Sequence, residues 1–302
     1  GTFVATTTTT YIRLSPWASA TNFAYFDNVS VRLAEADRSV NNKGLQVFGT
    51  VTKTAVATGA DLVGYSGWSA SNYLEQPYNS DMDMFKSVTG TFVIYGWVKR
   101  NGSTSGADVM FSTGEPGTAG KARSIAIPSD NKLAFYGWTA TYDSSTTHVT
   151  TDGVWTQFCF IYTNQQHHWY VNGQFDSVHA KPLVAYTANA PLKLGDIITT
   201  NAGSRPFSGS TALWRVSATV PTAEQIKKMY NDEKHLFQEN AKATLYGSSD
   251  AVTALAYDDD TELLHVGTSA GRSVFQGLRR VENTTDAVGS AISASNGLVA
   301  ED

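Results

Sequence analysis

The sequence predicts an all-β protein: antiparallel strands packed as a two-sheet sandwich, with one C-terminal helix and a small β-rich tail. Three observations predict it. Short runs rich in β-branched and aromatic residues recur between turns that carry Gly, Asn, Asp or Pro. Charged residues make up only 16% of the 302, against ~25% in ordinary domains, and Thr, Ser, Asn and Gly supply the polarity instead. Helical periodicity is clear in one stretch only, near 223–238. The 41% hydrophobic content is enough for a packed core and excludes wholesale disorder.

Taken in order, Phe3–Leu14 and Phe23–Leu33 read as strands around a Ser-Pro turn, and the polar stretch 34–44 closes that unit. Two strands cannot bury themselves, so these read as the end of a sandwich begun upstream. Gly1 in place of Met, with no signal-peptide pattern, reads as an internal piece of a longer protein. From 45 to 216 the expected strands are Leu45–Val51, Phe92–Lys99, Val109–Thr113, Ser124–Ile127, Lys132–Trp138, Trp155–Tyr162, His168–Val171, Pro191–Leu194 and Thr211–Val216. Asn172-Gly173 falls between HHWYV and QFDSV, and an Asn-Gly pair supplies the two positive φ angles of a type I′ hairpin turn. Thr222 and Gln225 stand at the spacing of a capping box. After them Ile226, Met229, Tyr230, Leu236 and Phe237 share one helical stripe. Residues 252–281 read as three short strands whose pattern is that of one propeller blade, which needs a neighbour to cover it. The expected units are therefore 1–36, 37–240 and 241–302.

Net charge is −5, and no basic run exceeds Lys227-Lys228 or Arg279-Arg280, so a nucleic-acid footprint is not expected. No apolar run reaches the ~18–20 residues of a membrane-spanning helix. The single cysteine, Cys159, excludes an intrachain disulfide and a thiolate metal cage.

Three stretches resemble the concanavalin A-like lectin/glucanase superfamily in its laminin-G-like and pentraxin-like branch. They are FVIYGWVKRNG (92–102), DGVWTQFCFIYTNQQHHWYVNGQFDS (152–177) and LKLGDIITTNAGSRPFSGSTALWRVSATVPTAEQIKKMY (192–230). The resemblance covers about 45–238 and implies a jelly-roll sandwich. FAYFDNVSVRL (23–33) is similar to the last strand of a galactose-binding-like carbohydrate-binding module. That order of modules resembles phage tail fibres and related receptor-binding proteins. The resemblance implies a homotrimer on a virion tail, or otherwise extracellular, that attaches to a cell-surface glycan or lipopolysaccharide.

The residues themselves suggest where a sugar would bind. An exposed aromatic ring can stack on the C–H face of a sugar while neighbouring polar groups meet its hydroxyls. Segment 64–83 carries Trp68, Tyr73 and Tyr78 among Gly, Asn and Asp, and the stretch 138–152, read as a loop, carries Trp138, Tyr142 and His148. The competing reading of each ring is core packing. Lectin-like sandwiches often hold calcium on loop carboxylates, and Asp81, Asp83 and Asp196 are the candidates; calcium is not required by this reading. The loop at 195–206 has Asp196 alone where pentraxins carry a dense acidic run. Asp258-Asp259-Asp260 reads as a solvated turn. An alternating carboxylate run of the glucanase type and a G-x-S-x-G elbow are both missing. His167 and His168 are adjacent, so on a strand they point to opposite faces. The expected function is thus a non-enzymatic attachment module. The alternatives are a polysaccharide-degrading tailspike or glucanase, and a secreted bacterial adhesin.

Overall fold

A computed structural model describes residues 34–35, 43–102, 106–115, 118, 120–137, 143–198, 203–242, 244–249, 251–277 and 279–302. The strands expected at Phe3–Leu14 and Phe23–Leu33, and with them the galactose-binding-like unit, lie outside the described residues. In chain order the sandwich strands are β1 (Ala34–Glu35), β2 (Leu45–Phe48), β3 (Thr52–Ala55), β4 (Val63–Ser66), β5 (Tyr73–Gln76), β6 (Phe92–Arg100), β7 (Asp108–Gly114), β8 (Ala122–Ile127), β9 (Lys132–Tyr136), β10 (Ser144–Val149), β11 (Trp155–Thr163), β12 (Gln166–Val171), β13 (Gln174–Ala180), β14 (Leu192–Leu194) and β15 (Gly209–Ser217). They form two antiparallel sheets. One has eight strands in the order β1-β2-β5-β14-β7-β8-β9-β10, and the other has seven in the order β13-β12-β11-β6-β15-β4-β3.

The core lies between the sheets. Leu74, Phe92, Ile94, Phe111, Ile125, Phe135, Phe158, Phe160 and Trp169 meet there, all nearly or fully buried. The seven-stranded sheet is covered on its other face as well. There Val93, Tyr95, Trp97, Cys159 and Ile161 meet the helix α1 (Ala223–Glu233) through Ile226, Met229 and Tyr230, and a following 3₁₀ turn through Phe237. Two-sided burial explains why β6 and β11 read as nearly continuous apolar runs. The expected capping box is present: Gln225 N–H donates to the Thr222 hydroxyl at 3.2 Å and Thr222 N–H to Gln225 Oε1 at 2.8 Å. Glu233 locks the helix down. It accepts from Trp97 Nε1 (2.7 Å) and Tyr95 Oη (3.1 Å), and Arg215 pairs with it at 2.5 Å.

The expected hairpin forms, with Asn172 at φ 48° and Gly173 at φ 75° and Val171 opposite Gln174. His167 is fully buried and His168 half-exposed on opposite faces of β12. The sandwich edge between β10 and β13 closes with polar groups. The Ser144 hydroxyl lies 2.8 Å from His167 Nδ1 and accepts from Trp169 Nε1 at 3.1 Å. Asp176 accepts from the backbone N–H groups of Thr147 (2.7 Å) and His148 (3.0 Å).

The tail is a four-stranded meander of β16 (Val252–Asp258), β17 (Leu263–Thr268), β18 (Gly271–Gln276) and β19 (Arg279–Asn283), followed by a hairpin of β20 (Ile292–Ser295) and β21 (Leu298–Glu301). It has one strand more in 252–281 than the sequence reading expects. Asp61 ties it to the sandwich by accepting from Lys242 Nζ (3.2 Å) and the Thr244 hydroxyl (2.7 Å).

Three further expectations are corrected. Residues 144–149 are strand β10, not loop, because they pair antiparallel with β9, Ser144 opposite Phe135 and Ser145 opposite Ala134, while Ser144 and Thr147 side chains bond across the edge. Segment 64–83, the candidate surface for a sugar, is not exposed throughout: it holds most of β4, all of β5 and most of a 3₁₀ turn at Ser80–Phe85, and Trp68 within it is buried. Asp258 is 1% exposed, and accepts from Gly297 N–H (2.7 Å) and Asp260 N–H (3.1 Å), so it anchors the last hairpin instead of lying in solvent.

Candidate functional site

Strand β14 centres the site. Alternation sends Leu192 and Leu194 into the core and Lys193 to the outer face of the eight-stranded sheet. Register then sets Lys193 between Glu75 on β5 and Ser112 on β7. The same row continues to Gln46 on β2 at one side and to Ser124 and Tyr136 at the other. Beside it Phe48 faces Tyr73, their rings stacked 4.5 Å apart at 12°. Lys193 Nζ lies 3.8 Å from the Tyr73 ring centre. Since β5 runs between β2 and β14, the ring of Tyr73 is clasped from both neighbouring strands.

The middle of this face is closed. Ile197 packs on Val109 and Ala126, and Ser112 and Ser124 are fully buried, joined by a 3.1 Å hydroxyl–hydroxyl bond. Asp196 fixes the segment that does this. Its Oδ1 accepts from the backbone N–H groups of Ile197 (2.7 Å) and Arg205 (2.6 Å), and its Oδ2 from the Ser204 hydroxyl (2.8 Å) and Lys193 Nζ (3.3 Å). The open end is therefore the β2–β5–β14 side, where Gln46, Phe48, Tyr73 and Glu75 are half-buried.

The other expected residues fall around this end or away from it. Trp68 is only 7% exposed and belongs to the core, so it is no stacking platform: the close approach of Gly195 draws the ring inward. Tyr78 is half-buried, with its hydroxyl donating to Asp83 Oδ1 at 2.8 Å and Lys86 Nζ 4.4 Å from its ring centre. His148 sits on β10, at the far edge of the sheet from Tyr73. Trp138 and Tyr142 lie outside the described residues. Phe48, Glu75, Gln46 and Lys193 were missed. The signal was present in L-K-L and Y-L-E-Q, where alternation turns the middle lysine, the tyrosine and the glutamate outward.

The calcium candidates do not fit a calcium site. Asp196 already accepts from four donors, one of them an ammonium. Asp81 is paired with Lys43, and Asp83 with Lys86 at 2.8 Å. The hydrogen bonds from Lys86 and then Tyr78 hold the Asp83 carboxyl below its ordinary range. A dication would have to displace a lysine at each of the three. Among the described residues no cluster of three or more His, Cys, Asp or Glu side chains gathers.

A cleft of about 630 Å³ also opens between the sheets, lined largely by apolar side chains such as Leu45, Leu74, Met82, Met84 and Leu213. Its lining suits hydrocarbon better than a hydroxyl-rich ligand.

The fold and its polar outer face define a lectin-like sandwich. Residues 69–227 match the laminin-G-type family described as the concanavalin A-like lectin/glucanases superfamily, and the chain belongs to that superfamily. No curated protein matches the chain. Among solved structures, Trypanosoma rangeli sialidase with the inhibitor DANA is similar at 11% identity over 69% of this chain and 34% of its own, with a TM-score of 0.48. The pentraxin of Limulus polyphemus is similar at 16% identity over 47% and 70%, with a TM-score of 0.36. The binding domain of botulinum neurotoxin DC with rat synaptotagmin II is similar at 13% identity over 83% and 60%, with a TM-score of 0.49. The chain spans about a third of the sialidase's length.

Proposed function

We propose that this chain is a non-enzymatic glycan-recognition module of a virion attachment fibre, binding a cell-surface glycan or lipopolysaccharide at the open end of the eight-stranded sheet. The observation that carries this reading is the Gln46–Glu75–Lys193 row beside the stacked Phe48–Tyr73 pair. The Glu75 carboxylate and the Gln46 amide, at neighbouring register positions, bring acceptors and donors for sugar hydroxyls, while Lys193, buried and bonded to Asp196 and the Ile197 carbonyl, braces the Tyr73 ring. Catalysis by a carboxylate pair is disfavoured because Asp196, the second carboxylate of this face, is already held by four donors. Glycan-array binding tests the reading. The parent chain is expected to bind, and Tyr73→Ala to bind at least ~5-fold more weakly, since an aromatic contact contributes ~1 kcal/mol. Release of reducing ends from the arrayed polysaccharides would make the chain a glycosidase instead.

The fibre reading also implies self-association through the tail. Val252, Leu255 and Leu298 are exposed there, at 48%, 60% and 77%, on strands with little to cover them. Native mass spectrometry is expected to show a trimer that becomes a folded monomer on truncation at Asn240. A truncated chain that stays trimeric would place the interface elsewhere.

A further inference from the structure

We propose a second saccharide site in the cleft between the C-terminal end of α1 and the tail sheet, one that takes a neutral or amino sugar and refuses an anionic one. It rests on the saccharide reading of the chain but not on the Tyr73 face. The floor follows from register: Tyr257 lies opposite Leu264, and Leu264 opposite Phe275, so the three cross β16, β17 and β18 as one row. Asn231 and Asp232 from the end of the helix and His235 from the following 3₁₀ turn form the wall, and Glu262 and Gln276 add to the lining. The cleft holds about 520 Å³, within the ~300–1,000 Å³ of small-molecule sites.

The lining matches sugar chemistry. Tyr257 is 55% exposed, a ring left open beside polar groups. Two carboxylates and two amides can each take hydroxyls, while the ring takes the apolar C–H face. The charge of the lining is negative. Asp232 and Glu262 contribute it, and burial together with Lys234 and Arg279 pushes the His235 imidazole below its ordinary range, with Asp232 opposing. Lys228 pairs with Asp232 at 2.8 Å, but both are well exposed, and such a pair is weak and readily exchanged.

Glu262 adds a carboxylate to the lining from a constrained turn. Among the described residues, eight other than glycine have left-handed backbone, and five of these are asparagine, which tolerates it. Glu262 is held there at φ 56° and lines the cleft. Glycine would suit the turn better, so the glutamate stands there at a backbone cost.

The test is saturation-transfer NMR on the full chain with millimolar methyl glucoside, glucosamine and N-acetylneuraminic acid. The parent is expected to bind the first two saturably and not the third. Tyr257→Ala and Glu262→Gly should each raise the dissociation constants at least ~5-fold. Tyr73→Ala should leave these constants unchanged. Glu262→Gly should also melt at a higher temperature than the parent, a combination that a merely structural glutamate would not produce. Unchanged constants in both junction variants, with loss in Tyr73→Ala alone, would overturn the junction site and leave the sheet face standing. A Tyr257→Ala chain of lower oligomeric mass would overturn it too, by making that ring a contact between copies. A folded parent that is retained on the glycan array but binds neither sugar would overturn the junction site alone.

Discussion

Replacing Trp68 with alanine is expected to lower the unfolding free energy by ~3–5 kcal/mol, the usual cost of deleting a buried large aromatic side chain. Trp68 is 7% exposed and packs within the main core. Its ring fills the space that a side chain at position 195 would need: a Cβ on Gly195, at φ 91°, would overlap Trp68 Cε3. The pair is therefore complementary, and Gly195→Ala is refused for the same steric reason and for its backbone angle. Urea unfolding of the variant reads the loss directly. A variant that keeps parental stability while losing sugar binding would restore Trp68 as a ligand contact.

The second large effect is acid sensitivity of the β10–β13 edge. His167 is fully buried against Phe135, Phe160 and Tyr162, its Nδ1 bonded to Ser144 and its Nε2 buried without a partner. Burial disfavours the imidazolium first, with His179 and Arg123 adding to it, and the pKa is pushed from 6.5 down to about 3. The unfolded chain takes up this proton near pH 6.5, whereas the folded chain takes it only near pH 3. Stability is thus full above pH 6.5 and falls by ~1.4 kcal/mol per pH unit below it, toward a loss of ~3–5 kcal/mol at pH 3. His168, His235 and His265 are pushed the same way by burial and add to the slope. The comparison belongs between pH 6.5 and 5, above the ordinary carboxylate range. There His167→Phe should remove ~1.4 kcal/mol per unit from the slope of stability against pH. An identical slope in parent and variant would show that this imidazole is protonated in the folded chain.

Much of the sandwich was legible because its signals are local. Two-residue alternation marks β12, with His167, Trp169 and Val171 inward, and Asn172-Gly173 names its own turn. Thr222 and Gln225 mark the start of α1 through bonds only three residues apart. Strands β3, β4, β5 and β10 were less legible: they are four to six residues long, all but β5 carry Gly, Ser or Thr, and they owe their extension to partners elsewhere in the chain. Arg123 gives no local sign of its place. It is fully buried, held by the carbonyls of Phe85, Gly120, Ala122 and Val184 rather than by a carboxylate, and burial brings its pKa down to about 10.

By itself the sequence determined the all-β class, the helix after Thr222 and its cap, the main hairpin and the absence of clustered thiolates, because each depends on residues a few positions apart. Only the tertiary structure decided which aromatics are core and which are surface. Trp68 and Tyr73 stand five residues apart in the same polar segment, yet one closes over Gly195 and the other joins Phe48 on the outer face. Alternation separates two faces of a strand but does not say which of them another sheet will cover. The same holds for the carboxylates. Asp196 and Asp258 look like loop acids in the sequence, and become anchors because backbone N–H groups from residues 205 and 297 fold back onto them. Burial and hydrogen-bond partnership are properties of chain segments far apart in sequence, and they are fixed only when those segments pack.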